Sequence, residues 1–543
     1  MQPQYLQMLS RKIKMDASIT KKDDFVMDIE DDKKILKTNG FLHIIKTNSM
    51  EFCRSTSLHG LQYVGEEHRT ITERLFWLLS FFISLIAVTY FIVQVWIKWN
   101  TNPVLVTFSE VATPVWEIPF PAITICPEVK VKSTVFSFSD AYYKENKTDE
   151  EKKKLEQSKI VCNNVYTIFD FEGRDVATDE DLDFIDEVAL KLDEMCSRST
   201  WGGIESDCDE LFTTVLTDDG LCFSFNILAS EELFRNGTVQ RNQKHLNHNE
   251  TLDWDLETGY RDINAKTTFP RRALTSGARS GLSMFLLIMD IEQDPICSFP
   301  IDGVKVLLHN PTDYPIVVEQ HFRVPLDRDV VVGIKPRVMT TSESLRSYEP
   351  ERRRCYFSSE RQLRHFSIYT QQNCEMECLT NYTVSECGCA AYYMPRGQGT
   401  SICGAGKREC IQFAADSFTT DDDGLDTCNC IPACTEITYD VETSQATFKW
   451  EESMKASMKG EGLNFTMSES LKLSKVAFYY KDSQFVSSRR GELFGPLEFL
   501  ASCGGLMGLY LGFSFLSLVE IIYFFTVRLC CNLRTNKKTR PTP

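Results

Sequence analysis

The sequence lacks the features that would point to an enzyme, a repeat protein or a nucleic-acid-binding protein. It contains no nucleophile–base motif, no glycine-rich phosphate loop and no His-Glu-x-x-His zinc site. No segment recurs with a period of about 20 to 50 residues, which excludes a solenoid or a propeller. Positive charge is also deficient, because 59 Lys and Arg stand against 76 Asp and Glu, giving a net charge of −17. We therefore expect neither catalysis nor a nucleic-acid partner.

Charged side chains are absent from two long apolar segments, residues 75–97 and 499–519. A helix needs about 20 apolar residues to cross a bilayer, so both segments predict membrane helices, the alternative being buried core helices. The first begins after a long polar segment and is therefore not a cleaved signal peptide. Basic residues flank the two segments on their terminal sides: Arg69, Arg74, Arg528, Arg534, Lys537, Lys538 and Arg540. This asymmetry predicts that both chain termini are cytoplasmic.

The long segment between the two apolar runs has the composition of an extracellular domain. Of the 20 cysteines, only Cys53, Cys503, Cys530 and Cys531 lie outside it. All N-x-S/T glycosylation sequons fall inside it, at Asn146, Asn236, Asn249, Asn381 and Asn464. Dense cysteines beside sequons indicate disulfides in an oxidising compartment.

The chain therefore divides into five parts. They are a cytoplasmic N-terminus (1–74), a transmembrane helix (75–97), an extracellular cysteine-rich domain (98–498), a second transmembrane helix (499–525) and a cytoplasmic C-terminus (526–543).

The densest cysteine block runs from Cys374 to Cys434. Some of its spacings are those of zinc ligands, but an extracellular location favours disulfides. The order of the cysteines suggests a nested ladder: Cys374 with Cys430, Cys378 with Cys428, Cys387 with Cys410, and Cys389 with Cys403. Sequence alone leaves this pairing open.

Local patterns predict a mixed α/β domain. Charged helical stretches occur at residues 149–158 and 179–195. Segments 304–308, 330–338 and 436–441 read as strands, either because turn residues bound them or because apolar and polar residues alternate.

Glycines mark one face of the second apolar segment. Gly504, Gly508 and Gly512 recur every four residues, which favours either close helix packing or a pore face. Each glycine weakens a helix by roughly 1 kcal/mol, so a break at residues 512–514 is inexpensive and would expose oxygens to an ion. Glu520 at the inner end faces a lumen, pairs with a partner or lies at the interface. One chain supplies one such helix, so a pore requires an oligomer.

Five motifs, in order, resemble those of the epithelial sodium channel/degenerin/acid-sensing ion channel superfamily, most closely its arthropod pickpocket branch. They are His59-Gly60, the 120–126 segment FPAITIC, the 220–226 segment GLCFSFN, the Cys374–Cys434 block and the G-x-S motif Gly512-Phe513-Ser514.

This resemblance implies a membrane protein with two transmembrane helices, short cytoplasmic termini and a large disulfide-rich α/β extracellular domain shaped like a hand, with palm, finger and thumb. It implies an amiloride-sensitive, sodium-permeable channel in the plasma membrane, gated through its extracellular domain. The implied partners are identical or sibling subunits in a trimer, the lipid bilayer and amiloride-like blockers, with permeant Na⁺ and no cofactor or bound metal. The alternatives are a trimeric channel of the ATP-gated type and a non-conducting two-pass receptor or adhesion protein.

The resemblance also assigns roles to residues. Gly512, Phe513 and Ser514 would form the selectivity filter, although a small residue is usual where Phe513 stands. His59, Gly60 and Ala501 would act in gating, and Gly504, Gly505, Gly508 and Glu520 in the pore or in blocker binding. The remaining disulfides would join Cys126 with Cys222, Cys196 with Cys208 and Cys355 with Cys434, which leaves Cys162 to pair with Cys297.

Overall fold

The structure is a computed structural model, and it describes residues 40–101, 104–162, 172–240, 252–265, 267–420, 428–460 and 470–532. Several predicted features lie outside the described residues: the sequons at Asn249 and Asn464 and the basic residues Arg534, Lys537, Lys538 and Arg540. The chain forms two compact units. One contains the chain ends, up to residue 102 and from residue 494, and the other is Pro103–Leu493.

The described α-helices are numbered in chain order. They are α1 (Gly40–Ser55), α2 (Leu61–Gly65), α3 (Ile71–Thr101), α4 (Phe138–Tyr143), α5 (Asp149–Ser158), α6 (Asp179–Val188), α7 (Leu192–Met195), α8 (Cys208–Leu211), α9 (Ser230–Leu233), α10 (Pro350–Arg353), α11 (Gln371–Cys387), α12 (Arg408–Thr420), α13 (Trp450–Gly460), α14 (Pro496–Leu511) and α15 (Phe515–Ile522). A π-helical turn, Tyr523–Arg528, continues α15, and the helix extends to Asn532.

The described β-strands are also numbered in chain order. They are β1 (Val104–Phe108), β2 (Thr113–Pro114), β3 (Ala122–Pro127), β4 (Val176–Ala177), β5 (Cys196–Trp201), β6 (Ile204–Ser206), β7 (Phe212–Thr217), β8 (Gly220–Phe225), β9 (Thr238–Val239), β10 (Trp254–Asp255), β11 (Gly259–Tyr260), β12 (Leu282–Met289), β13 (Val304–His309), β14 (Phe322–Val324), β15 (Arg328–Thr341), β16 (Arg396–Gly397), β17 (Ile402–Cys403), β18 (Glu436–Thr447), β19 (Leu471–Tyr480), β20 (Gln484–Phe485) and β21 (Ser488–Glu492).

The unit formed by the chain ends contains the apolar helices. Helix α3 and the helix Phe515–Asn532 are both long and apolar enough to cross a membrane, and α14 is a shorter apolar helix. Large apolar side chains on these helices are exposed, as expected for a surface that contacts lipid. The predicted second membrane helix is not continuous: it is interrupted between α14 and α15.

The other unit is built around an eight-stranded sheet whose central strand is β15. Strand β18 pairs with β15 in antiparallel register along one edge. On the opposite edge, β19 and β21 pair with β15 one after the other, both parallel. Strand β1 pairs with β21 from Val104↔Glu492 to Phe108↔Ser488, so the segment that follows α3 is hydrogen-bonded to the segment that precedes α14.

A second, five-stranded antiparallel sheet has the order β14-β13-β3-β8-β7. One hydrophobic core contains side chains from both sheets. Phe120 is fully buried there, and its ring lies 5.0 Å from that of Trp201 and 5.2 Å from that of Tyr480. The strands predicted at 304–308, 330–338 and 436–441 are confirmed and are longer than expected.

Short helices form a smaller core that includes Cys162 and Cys297. The helix predicted at 149–158 is confirmed, and Thr148 and Glu151 form a capping box at its N-terminus. The single helix predicted over 179–195 is wrong. The backbone turns extended at Ala189 and a new helix begins after Lys191, so that Leu190 and Leu192 are both buried.

All cysteines of the larger unit form disulfides, and the pairs are those that the resemblance and the ladder suggested. They are Cys126–Cys222, Cys162–Cys297, Cys196–Cys208, Cys355–Cys434, Cys374–Cys430, Cys378–Cys428, Cys387–Cys410 and Cys389–Cys403. Three of them, at Cys374, Cys378 and Cys387, fasten α11 to segments that follow it, and Cys389–Cys403 joins two positions beyond its end.

Candidate functional site

The interruption of the second apolar helix is a defined local structure. Helix α14 ends at Leu511 because Gly512 adopts a left-handed conformation with φ 64°. The Gly512 N–H donates to the Gly508 carbonyl at 3.0 Å, and the Phe513 N–H donates to the Met507 carbonyl at 3.3 Å. This is the usual glycine termination of a helix.

Helix α15 starts immediately afterwards with a reciprocal cap. The Ser514 side chain accepts a hydrogen bond from the Ser517 N–H at 3.2 Å, and the Ser517 hydroxyl accepts one from the Ser514 N–H at 3.1 Å. Only Gly512 and Phe513 therefore separate the termination of one helix from the cap of the next. The predicted break is present at the predicted residues.

The expectation that Gly504, Gly508 and Gly512 share one helix face is wrong for Gly512. Gly504 and Gly508 lie within α14, but Gly512 has left the helix. Glycine adopts a positive φ without strain. Gly512 therefore serves to end the helix, and it does not form part of a packing surface on α14.

The break in the helix leaves backbone oxygens free. The carbonyl groups of Gly512 and Phe513 accept no hydrogen bond from any residue in the part of the chain that the structure describes. In a bilayer, non-helical backbone is tolerated only where it is covered by protein or lines a water-filled space. These two carbonyl groups are therefore suited to contact water or an ion.

His59 and Gly60 lie directly against this break. The His59 N–H donates to the Leu511 carbonyl at 2.9 Å, one of the carbonyls left open by the end of α14. A Cβ atom added to Gly512 would lie 2.7 Å from three atoms of the His59 ring. Gly60 has φ 86° and precedes α2, so its conformation lets the chain turn away from the break.

Glu520 is paired with the segment that precedes His59. Its Oε2 accepts hydrogen bonds from the Ser57 N–H at 3.1 Å, the Ser57 hydroxyl at 3.2 Å and the Thr56 hydroxyl at 3.4 Å. The Ser57 hydroxyl also lies 2.8 Å from the Ser517 hydroxyl. Of the three positions considered for Glu520, the structure thus places it in a pair with a polar partner.

Helix α1 adds contacts with the end of α15 that the sequence did not reveal. The buried Asn48 amide donates to the Phe524 carbonyl at 2.7 Å, within the π-helical turn. Arg528 pairs with Glu51 at 2.6 Å, and the Phe52 ring packs 5.6 Å from that of Phe524. These contacts join opposite ends of the chain, and none of the sequence motifs pointed to them.

Helix α14 packs against α3 through one side only. The Trp99 and Phe499 rings stack at 5.0 Å, the Phe91 and Tyr510 rings stack at 5.8 Å, and Cys503 is buried. Ala501, Gly504 and Gly505 are exposed, and Cβ atoms added to the two glycines would meet nothing within 4 Å. The part of the chain that the structure describes therefore leaves this small-residue side of α14 uncovered.

The remaining predicted sites lie in the larger unit. The sequon residues Asn146, Asn236 and Asn381 are exposed. Within the described ranges, no group of three or more His, Cys, Asp and Glu side chains is arranged to hold a metal ion.

Comparisons with known proteins agree with the motifs. The model of a family described as amiloride-sensitive sodium channel matches residues 52–524. Pickpocket protein 28 of Drosophila melanogaster is 31% identical over 545 residues, which cover 97% of this chain and 85% of the relative. Sodium channel protein Nach of Drosophila melanogaster is 24% identical over 93% of this chain and 92% of its own. Acid-sensing ion channel 1C of Danio rerio is 23% identical over 89% of this chain and 84% of its own.

Proposed function

Because this chain belongs to the amiloride-sensitive sodium channel family, we propose that it is one subunit of a sodium-permeable channel blocked by amiloride-like compounds. Members of the family are ion channels, so the chain is a cation-channel protein and not an enzyme. The proposed assembly is a trimer of identical or sibling subunits in the plasma membrane, because one chain supplies one interrupted pore helix.

In the proposed topology, both termini are cytoplasmic and residues 98–498 form an extracellular hand of palm, finger and thumb. The two apolar helices, the disulfides and the exposed sequons support this arrangement. The extracellular domain would gate the pore through the paired strands β1 and β21, which lead directly into α3 and α14.

The carbonyls of Gly512 and Phe513, which accept no hydrogen bond from the described residues, carry the proposal. In a trimer, three copies of each carbonyl would face the axis and replace water around a permeating ion. The Ser514 hydroxyl is engaged in the cap of α15 and would fix the geometry of this filter. The Phe513 side chain would point away from the axis, which accommodates its size.

The segment Thr56–Gly60 would support the filter from below. It satisfies the Leu511 carbonyl and holds Glu520 through hydroxyl and backbone donors. Opening would require α14 to move at Ala501 to Gly505, where the uncovered small-residue side permits helices of neighbouring subunits to approach closely.

Two-electrode voltage clamp of oocytes tests this function. The variant Ala501→Phe should keep the helices apart and give a standing inward current that disappears without external sodium and is blocked by amiloride. Ala501→Ser, a small replacement at the same position, should behave like the parent chain. Surface biotinylation normalises each current to the number of channels at the membrane.

Two outcomes would be informative against the proposal. A standing current that amiloride does not reduce would contradict the proposed blocker sensitivity but not the proposed conduction. Silence of Ala501→Phe at normal surface abundance, both alone and with sibling subunits, would instead favour a non-conducting two-pass protein.

A further inference from the structure

A cavity of about 720 Å³ lies in the larger unit, beside the turn between β5 and β6. This volume falls within the range of about 300–1,000 Å³ typical of small-molecule sites. Its walls combine apolar side chains with two residues of opposite charge, Arg272 and Asp253. The proposed conduction pathway uses none of these residues.

Arg272 is a buried cation without a carboxylate partner. Only 6% of the residue is exposed, and it forms no ion pair with any described carboxylate. Its terminal nitrogens donate to three backbone carbonyls: Trp116 at 3.0 Å, and Ile263 and Ala265 at 2.7 Å each. The Nε–H of Arg272 is buried and has no acceptor among the described residues. The Tyr260 ring faces the guanidinium, with its centroid 4.8 Å from Arg272 Cζ, but no described carboxylate neutralises the charge, as buried charges normally require.

Asp253 supplies the opposite charge on the same cavity. Its main chain is held by hydrogen bonds to Phe269 and Arg261, but its carboxylate makes no hydrogen bond or ion pair with a described residue. The carboxylate is half-buried. The cavity thus presents one positive and one negative group, neither of which pairs with an oppositely charged side chain among the described residues.

The remaining wall is apolar and unusually exposed. Ile204 is 71% exposed and Leu274 is 52% exposed, and the ring of Trp201 is half-buried beside them. Covering such side chains with an apolar group contributes about 25 cal/mol for each Å² removed from water. A ligand that carries both charges and an apolar side chain would satisfy all three features at once.

From this combination we propose that the cavity binds a free amino acid with an apolar side chain. The ligand's carboxylate lies beside the Arg272 guanidinium, its ammonium group pairs with Asp253, and its side chain covers Trp201, Ile204 and Leu274. No covalent step is involved, and binding does not depend on whether the protein conducts ions.

Binding to the full-length chain in lipid nanodiscs tests the proposal. The probes are L-phenylalanine, N-acetyl-L-phenylalanine, which lacks the ammonium charge, and L-phenylalaninamide, which lacks the carboxylate. Saturation-transfer NMR and thermal unfolding report binding without any current. L-Phenylalanine should bind at least tenfold more tightly than either analogue.

Two variants separate binding from folding. Asp253→Asn removes the negative charge of a side chain that has no described partner, so the fold should persist while L-phenylalanine and its N-acetyl analogue become equal in affinity. Ile204→Ser changes a largely exposed residue and should weaken all three probes by severalfold. Arg272→Lys is less decisive, because Arg272 also anchors three carbonyls. Equal binding of the three probes to the parent chain, no binding at millimolar concentration, or an unchanged preference in Asp253→Asn would overturn the proposal.

Discussion

The contact between Gly512 and His59 allows a quantitative prediction for the variant Gly512→Ala. Gly512 has φ 64°, a conformation that costs a residue with a side chain about 1–2 kcal/mol. The added methyl carbon would also lie 2.7 Å from the Cγ, Cδ2 and Nε2 atoms of His59, whereas comfortable contacts need about 3.5–4.0 Å.

Relief of this overlap requires His59 to move by about 1 Å, given the normal contact distance. That movement stretches the hydrogen bond from the His59 N–H to the Leu511 carbonyl, now 2.9 Å, which contributes about 0.5–1.5 kcal/mol. The two effects together come to about 1.5–3.5 kcal/mol for each subunit, equivalent to a roughly 12- to 300-fold change in an equilibrium constant. We expect current per surface channel to fall at least tenfold.

The assay is voltage clamp in the Ala501→Phe background, normalised to surface biotinylation. Gly388→Ala is the matched control, because Gly388 also ends a helix in the left-handed conformation, but a methyl carbon added there would meet nothing within 4 Å. Addition of His59→Ala to Gly512→Ala should restore the part of the loss that is due to the overlap. Full current from Gly512→Ala, or an equal loss from Gly388→Ala, would refute the reasoning.

Three further predictions concern other parts of the chain. Glu520→Gln should reduce current and alter the sodium-to-potassium permeability ratio, because charge-assisted hydrogen bonds contribute about 1.5–3 kcal/mol each; an unchanged reversal potential would contradict this. Glu51→Arg and Arg528→Glu should each lower surface abundance by about twofold and the double swap should restore it, since an exposed pair contributes at most about 1 kcal/mol. Burial and the nearby Glu436 raise the pKa of Asp313 to about 7. The folded protein therefore gains stability from protonated Asp313: this contribution is complete below pH about 4 and is lost as the pH rises to about 7. Asp313→Asn should therefore flatten the fall in melting temperature between pH 5 and 8, and an unchanged fall would exclude this carboxyl as the cause.

Features that depend on neighbouring residues could be predicted from the sequence. The break at Gly512 follows from glycine's conformational freedom and from the serine spacing that caps α15, both of which are local. Strand alternation likewise located β18, although the sequence pattern covered only its first half.

Contacts between distant segments could not be predicted in the same way. The residues next to Ser57 in the sequence do not indicate that its side chain contacts Glu520. The two residues lie near opposite ends of the chain, and no local sequence pattern links them. The cavity at Arg272 could not be predicted either, because its walls come from separate strands and loops. The sequence did not predict that the helix ends at Ala189, because the helical periodicity of 179–195 continues across this residue. The extended backbone at Ala189 allows the neighbouring side chains to be buried, and that depends on tertiary packing.

The hydrogen bond between His59 and Leu511 has a consequence for biogenesis. The ribosome completes His59 before either membrane helix exists, whereas Leu511 emerges near the end of synthesis. An open carbonyl group at that depth costs several kcal/mol in hydrocarbon. If the N-terminus is cytoplasmic as proposed, the segment around His59 would complete this hydrogen bond only after the second apolar helix has been synthesised.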